Sequence, residues 1–427
     1  MRIAVVSDQE AHGGAGIAAA RLSAGLAEAG HEIHCVTARP SIQRHPWKTW
    51  HLRLRSREEA FWLLFGRIPG CAVVGRRLRH RRLDGEFRNL LRAIQPHVVN
   101  LHNLHWSDWP VSFLSVSSQV APAIWTLHDM WSFTGGCTHA FAETAFATGC
   151  SEACQCWKHH GGTASRDAAG QWNARARSLS QTMAPVALCP SGWLASQASK
   201  SMWKQHRIET IANGLCLKTY EPMPRDFARR ALGLSLEGLT VLGCGVSLDD
   251  PKKGAEAFHA ALLAAREEKI SLLTLGSAPP SNLPPHIQAR HLGYQTSERM
   301  QALAYNAADL VLFPTLADNL PNVLVESIAC GTPAVSTPVG GVPEIIQEGV
   351  SGWIASSATS AGVAECLQRA LQDLRRGVDF RSSCRALAVK NFDLPLQTAR
   401  YARLFEACVA LRESTPPSVN PHQKKHG

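Results

Sequence analysis

The sequence predicts an α/β protein with two domains, each built on a parallel sheet. Short apolar strands alternate with helical segments in two series, first from "RIAVVS" to "AIWTLHD" and again from "VALCPS" to "PAVSTPVG". A chain of 427 residues is too long for one ordinary hydrophobic core, which favours two domains of about 200 residues each. The turn-rich segment "ANGLCLKTYEPMP" predicts the hinge between them.

The predicted boundaries follow these patterns. The N-terminal domain is expected over residues 1–190 and the C-terminal domain over residues 191–385. A basic helical segment at 51–92, in which arginines alternate with apolar and aromatic residues, is predicted to be a surface insertion. Residues 386–412 are predicted to form a C-terminal helix that packs across both domains, and the polar tail 413–427 to be disordered.

Composition narrows the class of protein. The formal charge of +10 suits an anionic partner, and no apolar stretch approaches the roughly 18 residues that a membrane-spanning helix needs. The N-terminal run "MRIAVVSD" is too short for the core of a signal peptide, so we expect a cytoplasmic protein. The segment 51–92 is typical of a face that rests on an anionic membrane, with an ordinary solvated helix as the alternative. No motif for nucleic-acid binding accompanies the charge.

The cysteines do not predict a disulfide framework. Their number is 13, which is odd, and several lie in apolar settings where a small buried thiol is expected. Four of them, near two histidines, give a structural zinc site as an alternative interpretation, although their spacing is not that of two CxxC pairs: Cys137, Cys150, Cys154 and Cys156.

The segment "FPTLADNLPNVLVESIACGTPAV" carries the most specific signal. It reads as strand, loop, short helix and strand, with Asp318 on the loop and Glu326 on the helix. Free backbone amides at a helix start can bind phosphate oxygens, and two carboxylates can accept hydrogen bonds from vicinal hydroxyls. The positions at this helix start are Asn319, Leu320, Pro321 and Asn322. Proline has no N–H group, so Pro321 contributes only its fixed backbone conformation. Recognition of a sugar joined to a nucleotide needs both features.

Two further turns, one containing glycines and one containing lysines, could contribute to an anion-binding site. Gly13 and Gly14 lie between the first strand and a helix, where a glycine-rich turn without a ligand is equally expected. Lys252 and Lys253 precede Gly254 and a helix, where they could neutralise a diphosphate or simply be solvated.

His128 ends an apolar strand at the edge where α/β proteins build their sites. There it could hydrogen-bond a sugar hydroxyl or a phosphate. The alternative is a structural histidine satisfied by its neighbour Asp129. Glu344, in the first turn of a later helix, is expected to stabilise that helix only.

These motifs, in this order, resemble family 4 glycosyltransferases, which are retaining enzymes of the GT-B fold. "GGAGIAAARLSAGLAEAGHEIHCVT" is similar to their N-terminal glycine loop and helix, "IETIANGLCLKTYEP" to their interdomain link, and "DDPKKG" to their phosphate-binding loop. "TLHDMWSFTGGCTHAF" with "TGCSEACQCW" resembles the branch associated with colanic acid and other exopolysaccharides. The resemblance implies two Rossmann-like domains whose parallel sheets face a central cleft.

The same resemblance implies transfer of a sugar from a nucleotide diphosphate donor, UDP- or GDP-linked, to a saccharide acceptor, with no metal or other cofactor. The acceptor is expected to be lipid-linked, for example through polyprenyl diphosphate, at the inner face of the plasma membrane. Glu326 would bind the ribose hydroxyls, and Asp318, in place of the usual glutamate, would contact the donor sugar together with His128. Lys253 would bind the diphosphate, with Lys252 replacing an arginine that the family often has.

The resemblance implies that the loop containing Gly14 closes over the phosphates of the donor. A sugar-nucleotide epimerase or a phosphorylase of the same two-domain plan is an alternative, because these enzymes share the architecture. An inactive homologue that only binds the nucleotide-sugar is another, because of Asp318 and the missing arginine.

Overall fold

Two parallel sheets form the framework of the molecule, as the alternating pattern predicts. The computed structural model describes residues 1–42, 45–54, 58, 61–62, 64, 71–154, 167–266 and 269–414. In this part of the chain, strands pair only in parallel. Most strands are buried on both faces, which explains why they read as continuous apolar runs such as "IAVV".

The N-terminal domain contains the larger sheet. Its strands are Arg2–Val6 (β1), Glu32–Thr37 (β2), Lys48–His51 (β3), Val98–Leu101 (β4), Ala123–Thr126 (β5), Val186–Cys189 (β6) and Arg207–Thr210 (β7). Their order across the sheet is β3-β2-β1-β4-β5-β6-β7. The helices of this domain are Gly13–Glu28 (α1), Ala72–Ile94 (α2), Phe113–Val120 (α3), Ala168–Ser180 (α4) and Gly192–Ser199 (α5), with short 3₁₀ turns at Met130–Phe133, Ala145–Ala147 and Met202–Gln205.

The C-terminal domain contains the second sheet. Its strands are Leu239–Cys244 (β8), Ile270–Leu275 (β9), Gln288–His291 (β10), Leu310–Phe313 (β11), Ala334–Ser336 (β12) and Gly352–Ile354 (β13). Their order is β10-β9-β8-β11-β12-β13. Its helices are Arg225–Ala231 (α6), Ala255–Ala264 (α7), Glu298–Ala307 (α8), Asn322–Ala329 (α9), Val342–Ile345 (α10), Ser360–Arg375 (α11) and Arg381–Phe392 (α12), with a 3₁₀ turn at Pro251–Lys253.

The domain boundary lies further along the chain than the predicted division between residues 190 and 191. Strand β6 pairs with β5, and β7 pairs with β6, so both belong to the first sheet. The N-terminal domain therefore continues to Thr210. The apolar pattern of "VALCPS" shows a strand but not the sheet that it joins. The link that follows β7 contains the turn-rich segment predicted as the hinge.

The basic segment is not a surface insertion throughout, and here the prediction is wrong for its second half. Helix α2 is the crossover between β3 and β4, and Leu83, Phe87 and Leu91 are buried in the core beneath it. Its arginines occupy the opposite face, which is why the segment reads as basic and apolar at once. Most residues of 55–70 lie outside the described part of the chain.

Two helices occupy the segment predicted as one C-terminal helix, and each packs on a different domain. Helix α12 packs on α9 in the C-terminal domain, and the chain then returns to the N-terminal domain as Leu394–Ser414 (α13). Tyr401 and Phe405 of α13 are buried against the first sheet. The return is fixed beside the link, where Leu215 exchanges backbone hydrogen bonds with Phe392 and Leu394 at 2.8 and 3.0 Å. The predicted segment 386–412 thus spans parts of two helices that pack on different domains. The first two residues of the predicted disordered tail, 413–414, belong to α13, and the rest of that tail lies outside the described residues.

Among the helices described, none combines the length and apolar character needed to cross a membrane.

Candidate active site

A cavity of about 540 Å³ lies between the two domains, at the carboxyl ends of their strands. This is the position at which open parallel sheets bind ligands. Every predicted catalytic or donor-binding residue lines this cavity: Gly13, Gly14, His128, Lys252, Lys253, Asp318, Asn319, Leu320, Pro321, Asn322 and Glu326. The structure therefore brings together residues that are up to about 300 positions apart in the sequence. Their chemical roles stay predictions.

The lysine loop and the acidic loop meet through an ion pair. The Nζ atom of Lys253 lies 2.9 and 2.7 Å from the two carboxylate oxygens of Asp318. The Thr315 hydroxyl also donates to Asp318, at 2.6 Å. The turn depends on Gly254, whose φ is +75° and at which a Cβ would lie 1.8 Å from the Pro314 carbonyl oxygen. Without a ligand, Asp318 thus neutralises the lysine predicted to bind the diphosphate.

Glu326 is bound from both domains. Its side chain is only 8% exposed, and one carboxylate oxygen accepts a hydrogen bond from the Tyr305 hydroxyl at 2.8 Å. The other oxygen accepts from the Arg21 guanidinium, also at 2.8 Å. Arg21 belongs to α1 of the N-terminal domain, so the pair spans the cleft. A carboxylate has about four acceptor positions, so two remain for the hydroxyls of a ligand.

Arg21, which binds the carboxylate of Glu326, is a residue beside the candidate site that sequence reasoning missed. It also donates to Glu298 at 2.9 Å and to the Tyr220 hydroxyl at 3.1 Å, both in the C-terminal domain. Burial lowers the pKa of Arg21, but the Glu326 carboxylate with Tyr220 and Glu298 outweighs it, so the net pKa is raised and the guanidinium stays charged. The available signal was a lone arginine within the small-residue helix "GIAAARLSAGLAEAG", where an isolated charge needs a partner.

A chain of polar groups fixes the orientation of His128. Asn100 donates through Nδ2 to the Thr126 hydroxyl at 3.0 Å, so its Oδ1 accepts from His102 Nε2 at 2.9 Å. Neutral His102 must then accept at Nδ1, 2.8 Å from His128 Nε2. This network assigns the proton of His128 to Nε2 and leaves Nδ1 as an acceptor.

Both histidines of this chain are neutral at physiological pH. Burial, with a smaller electrostatic contribution from nearby His105, lowers the pKa of His128 to about 4. Burial and His128 lower the pKa of His102 well below its ordinary value. A neutral imidazole at this edge can hydrogen-bond a sugar hydroxyl without adding charge. The partner of His128 among the described contacts is His102 and not Asp129, and the role of His128, structural or sugar-binding, stays a prediction.

Further contacts hold the two domains together beside the cavity. The Asn319 amide donates to the His128 carbonyl oxygen at 3.2 Å, and the Asn322 amide to the Gly14 carbonyl oxygen at 3.1 Å. Glu344 accepts from the backbone N–H groups of Gly192 and Trp193 at 2.9 and 2.8 Å, at the start of α5. Glu344 therefore caps a helix of the opposite domain, a role beyond the stabilisation of its own helix that the sequence predicts.

The cysteine cluster does not form a metal site within the described residues. No group of three or more His, Cys, Asp or Glu side chains in that part of the chain has the geometry to hold a metal ion. Cys137 is disulfide-bonded, and the Cys150 thiol accepts from the Gly135 N–H at 3.1 Å. A disulfide sulfur is not a thiolate ligand, so the predicted set of four cysteines is wrong at Cys137. Cys156, the fourth predicted ligand, lies outside the described residues.

Comparison with known proteins identifies the chain. The family model for Glycosyltransferase Family 4 matches residues 12–218, and the model for Glycosyl transferases group 1 matches residues 239–373. The chain is a family 4 glycosyltransferase. The two matches divide at the interdomain link, so each model corresponds to one of the two domains around the cleft. The predicted family and enzyme class are thereby confirmed.

Two curated relatives of the chain are themselves described as glycosyltransferases. It is 28% identical over 290 residues to WcaC of Escherichia coli, described as a colanic acid biosynthesis glycosyl transferase, covering 64% of this chain and 68% of WcaC. It is 30% identical over 192 residues to D-inositol 3-phosphate glycosyltransferase 1 of Catenulispora acidiphila, covering 41% of this chain. That second match spans 46% of the relative, less than half of its length.

Solved structures confirm the GT-B fold of the glycosyltransferase. Sucrose-phosphate synthase from Thermosynechococcus elongatus superposes with a TM-score of 0.69 at 18% identity, covering 96% of this chain and 99% of that one. The Anabaena protein HepE, solved in complex with UDP-glucose, gives a TM-score of 0.66 at 15% identity, covering 95% and 100%. At these identities the likeness concerns the fold alone.

Proposed function

We propose that the protein transfers a sugar, with retention of anomeric configuration, from a nucleotide diphosphate donor to a saccharide acceptor in exopolysaccharide or other cell-surface glycan synthesis. The observation that carries this proposal is the interdomain cavity, in which two lysines, two helix N-termini and two carboxylates converge. The lysines and helix starts suit a diphosphate, and the carboxylates suit the hydroxyls on either side of it. The similarity to WcaC supports a role in exopolysaccharide synthesis.

On the donor side, Glu326 binds the ribose hydroxyls through the acceptor positions that Arg21 and Tyr305 leave open. Lys253, with Lys252 beside it, binds the diphosphate and stabilises the charge that develops on it as the sugar departs. Lys253 then exchanges Asp318 for phosphate oxygens, which frees the Asp318 carboxylate for the donor sugar. The N-terminus of α1 at Gly13 and Gly14 faces the same phosphates from the opposite domain.

The chemical step needs no protein nucleophile or metal in this proposal. The acceptor hydroxyl attacks the anomeric carbon on the face that the diphosphate leaves, and a donor phosphate oxygen receives its proton. His128 accepts a hydrogen bond from a sugar hydroxyl at Nδ1 and so orients the sugar. The contacts between the domains close the cleft and exclude water, which would otherwise hydrolyse the donor.

Calorimetric titration with UDP, GDP and their sugars tests the donor site. One nucleotide should bind the wild-type protein, and Glu326→Ala should weaken it about tenfold or more, because hydrogen bonds to a charged group contribute about 1.5–3 kcal/mol. Glu348→Ala, which removes a carboxylate paired with Arg369 away from the cavity, is the matched control and should bind normally. Failure of every nucleotide to bind would reject the proposal.

Product analysis separates transfer from the alternatives. With donor and a saccharide acceptor, the proton NMR coupling constant at the new anomeric centre should match the configuration of the donor. Conversion of the donor without any acceptor would instead identify an epimerase. Donor binding with no product from a panel of acceptors would identify an inactive homologue.

The proposal includes a peripheral position at the cytoplasmic face of an anionic membrane. Four apolar side chains are exposed next to the basic face of α2: Phe61, Leu64, Val74 and Leu78. Apolar residues among arginines suit the headgroup region of a bilayer and an acceptor with a lipid anchor. Co-sedimentation with phosphatidylglycerol vesicles, but not with phosphatidylcholine vesicles, is the expected result, and equal partition with both would contradict it.

A further inference from the structure

A second and larger cavity, of about 1020 Å³, lies within the N-terminal domain between α2 and α4. Five arginines line it, together with His80 and only two carboxylates: Arg76, Arg77, Arg81, Arg175 and Arg177, with Asp84 and Asp167. The indole rings of Trp109 and Trp131 form part of its wall. Its volume is at the upper end of the range typical for small-molecule sites. We call it the arginine cavity.

The two carboxylates of the arginine cavity have other partners. Asp84 accepts from the Ser112 hydroxyl at 2.8 Å, and burial raises its pKa, which favours its neutral form. Asp167 accepts from the Gly170 N–H at 2.9 Å and caps the start of α4. Arg76 and His80 share Asp108, which lies outside the cavity lining. Within the described part of the chain, the remaining four arginines form no ion pair.

Arg175 is the most informative of these four. It is 3% exposed, and its neutral partners are the Trp131 carbonyl oxygen at 2.7 Å and the Gln171 carbonyl oxygen at 2.9 Å. Burial, together with the positive charge of Arg76, lowers its pKa to about 9. The nearby Asp129 carboxylate acts in the opposite direction, but the described contacts include no ion pair between it and Arg175. A buried guanidinium without an ion pair is costly unless an anion joins it. Paired arginines also match the geometry of phosphate oxygens.

Trp131 connects the arginine cavity to the interdomain cavity. The Arg175 guanidinium carbon lies 4.0 Å from the centroid of the Trp131 ring, and the His105 ring lies 5.3 Å from the same ring system. His105 lines the interdomain cavity. The two cavities are therefore separated by about one indole ring, so a ligand could place an anionic group in one and a sugar in the other.

We propose that the arginine cavity binds the phosphate or diphosphate group of the acceptor. This inference rests on the proposed function, because it assigns the acceptor a place beside the donor site. The anionic group enters among the arginines of α2 and α4, and the attached sugar passes Trp131 to reach the transferred sugar near His128. The acceptor is thus a phosphorylated saccharide, either free or anchored to a lipid.

Binding of inorganic pyrophosphate to the double variant Lys252→Ala/Lys253→Ala tests this inference, because that variant lacks both lysines that would bind pyrophosphate in the interdomain cavity. Calorimetry should show one site that weakens with added salt. The double variant Arg77→Gln/Arg81→Gln in the same background should weaken binding at least about tenfold. Arg175→Lys is a second variant, expected to weaken binding while retaining the charge, because lysine lacks the fork geometry.

The matched control is Arg82→Gln/Arg92→Gln, which removes the same charge from α2 outside the cavity lining. It should leave pyrophosphate binding unchanged. No binding of pyrophosphate, or equal loss in the control and cavity variants, overturns the inference.

A vesicle experiment distinguishes the two sources of the phosphate. If the group belongs to a lipid, the cavity variant should lose affinity for vesicles that contain a polyprenyl phosphate more than the control does. If it belongs to a soluble sugar phosphate, both variants should bind these vesicles alike while only the cavity variant loses pyrophosphate. In a third outcome, the cavity variant and the control variant lose vesicle binding equally while both still bind pyrophosphate. This result would show that Arg77 and Arg81 act only through surface charge.

The inference and the proposed function can fail separately. Pyrophosphate binding at the arginine cavity in a protein that transfers no sugar would reject the proposed function alone. Sugar transfer in which the cavity variant leaves the KM of the acceptor unchanged would reject the inference alone.

Discussion

The interdomain cavity and the arginine cavity differ in how their charged side chains are paired. In and beside the first, two cations have anionic partners, since Lys253 pairs with Asp318 and Arg21 with Glu326. In the second, arginines outnumber carboxylates, and Arg175 has only neutral hydrogen-bond partners among the described residues. Under the proposals above, the paired charges exchange partners when the donor binds, whereas the unpaired arginines need an anion that the acceptor supplies.

The largest expected effect comes from breaking a pair in the interdomain cavity. Arg21→Ala leaves Glu326 buried without its cation, which typically destabilises a protein by about 3–5 kcal/mol. Chemical denaturation should show this loss in the free energy of unfolding. By contrast, Arg77→Gln in the arginine cavity should change stability by less than about 0.5 kcal/mol, because it leaves no buried partner behind.

A double-mutant cycle sharpens this contrast. Glu326→Gln combined with Arg21→Ala should be less destabilised than the sum of the single variants, because the neutral amide no longer needs the cation. Additive losses would mean that Arg21 stabilises the fold through packing alone.

The next effect concerns catalysis at the lysine loop. Lys253→Ala removes the positive charge predicted to stabilise the departing diphosphate, and loss of one such group typically lowers kcat by about 10²–10³-fold. Initial rates of sugar transfer at saturating donor measure it. Lys269→Ala, at an exposed lysine that pairs with Glu237, is the control and should be fully active. A kcat within a few fold of wild type for Lys253→Ala would remove Lys253 from the mechanism.

The last effect appears only as the pH falls and concerns the neutral histidines, which belong to neither charge pattern. The pKa of His128 is about 4 in the folded protein and near 6.5 in the unfolded chain, so between these values the unfolded state binds more protons. The contribution of neutral His128 to the free energy of unfolding is therefore fully present above about pH 6.5. It falls as the pH drops towards 4, by at most about 1.4 kcal/mol per pH unit for each such histidine.

Denaturation between pH 4 and 7 measures this dependence, and His128→Gln should flatten it. Asp8 contributes with the opposite sign, because burial raises its pKa to about 6 and the folded state then holds the proton more tightly. Its contribution is common to both proteins and cancels in their difference. Identical pH profiles for the two proteins would show that His128 does not titrate as described.

Much of the fold and the donor site could be predicted because the signals are local. A strand, a turn and a helix start lie within one short segment, and parallel sheets place such segments at one edge. The predicted residues from Gly13 to Glu326 consequently share one cavity. The failures, the boundary at residue 190 and the insertion at 51–92, concern which sheet a strand joins and which face a helix buries.

The sequence by itself determined the two parallel-sheet domains, the loops at their edges and the residue types that line the interdomain cavity. Only the tertiary structure decided that Arg21 meets Glu326, that Asn100 orients His128 through His102, and that arginines of α2 and α4 enclose one cavity. The physical reason is that local patterns set the periodicity and burial of each element. Contacts between side chains that are distant in sequence depend instead on how whole elements and domains pack against each other.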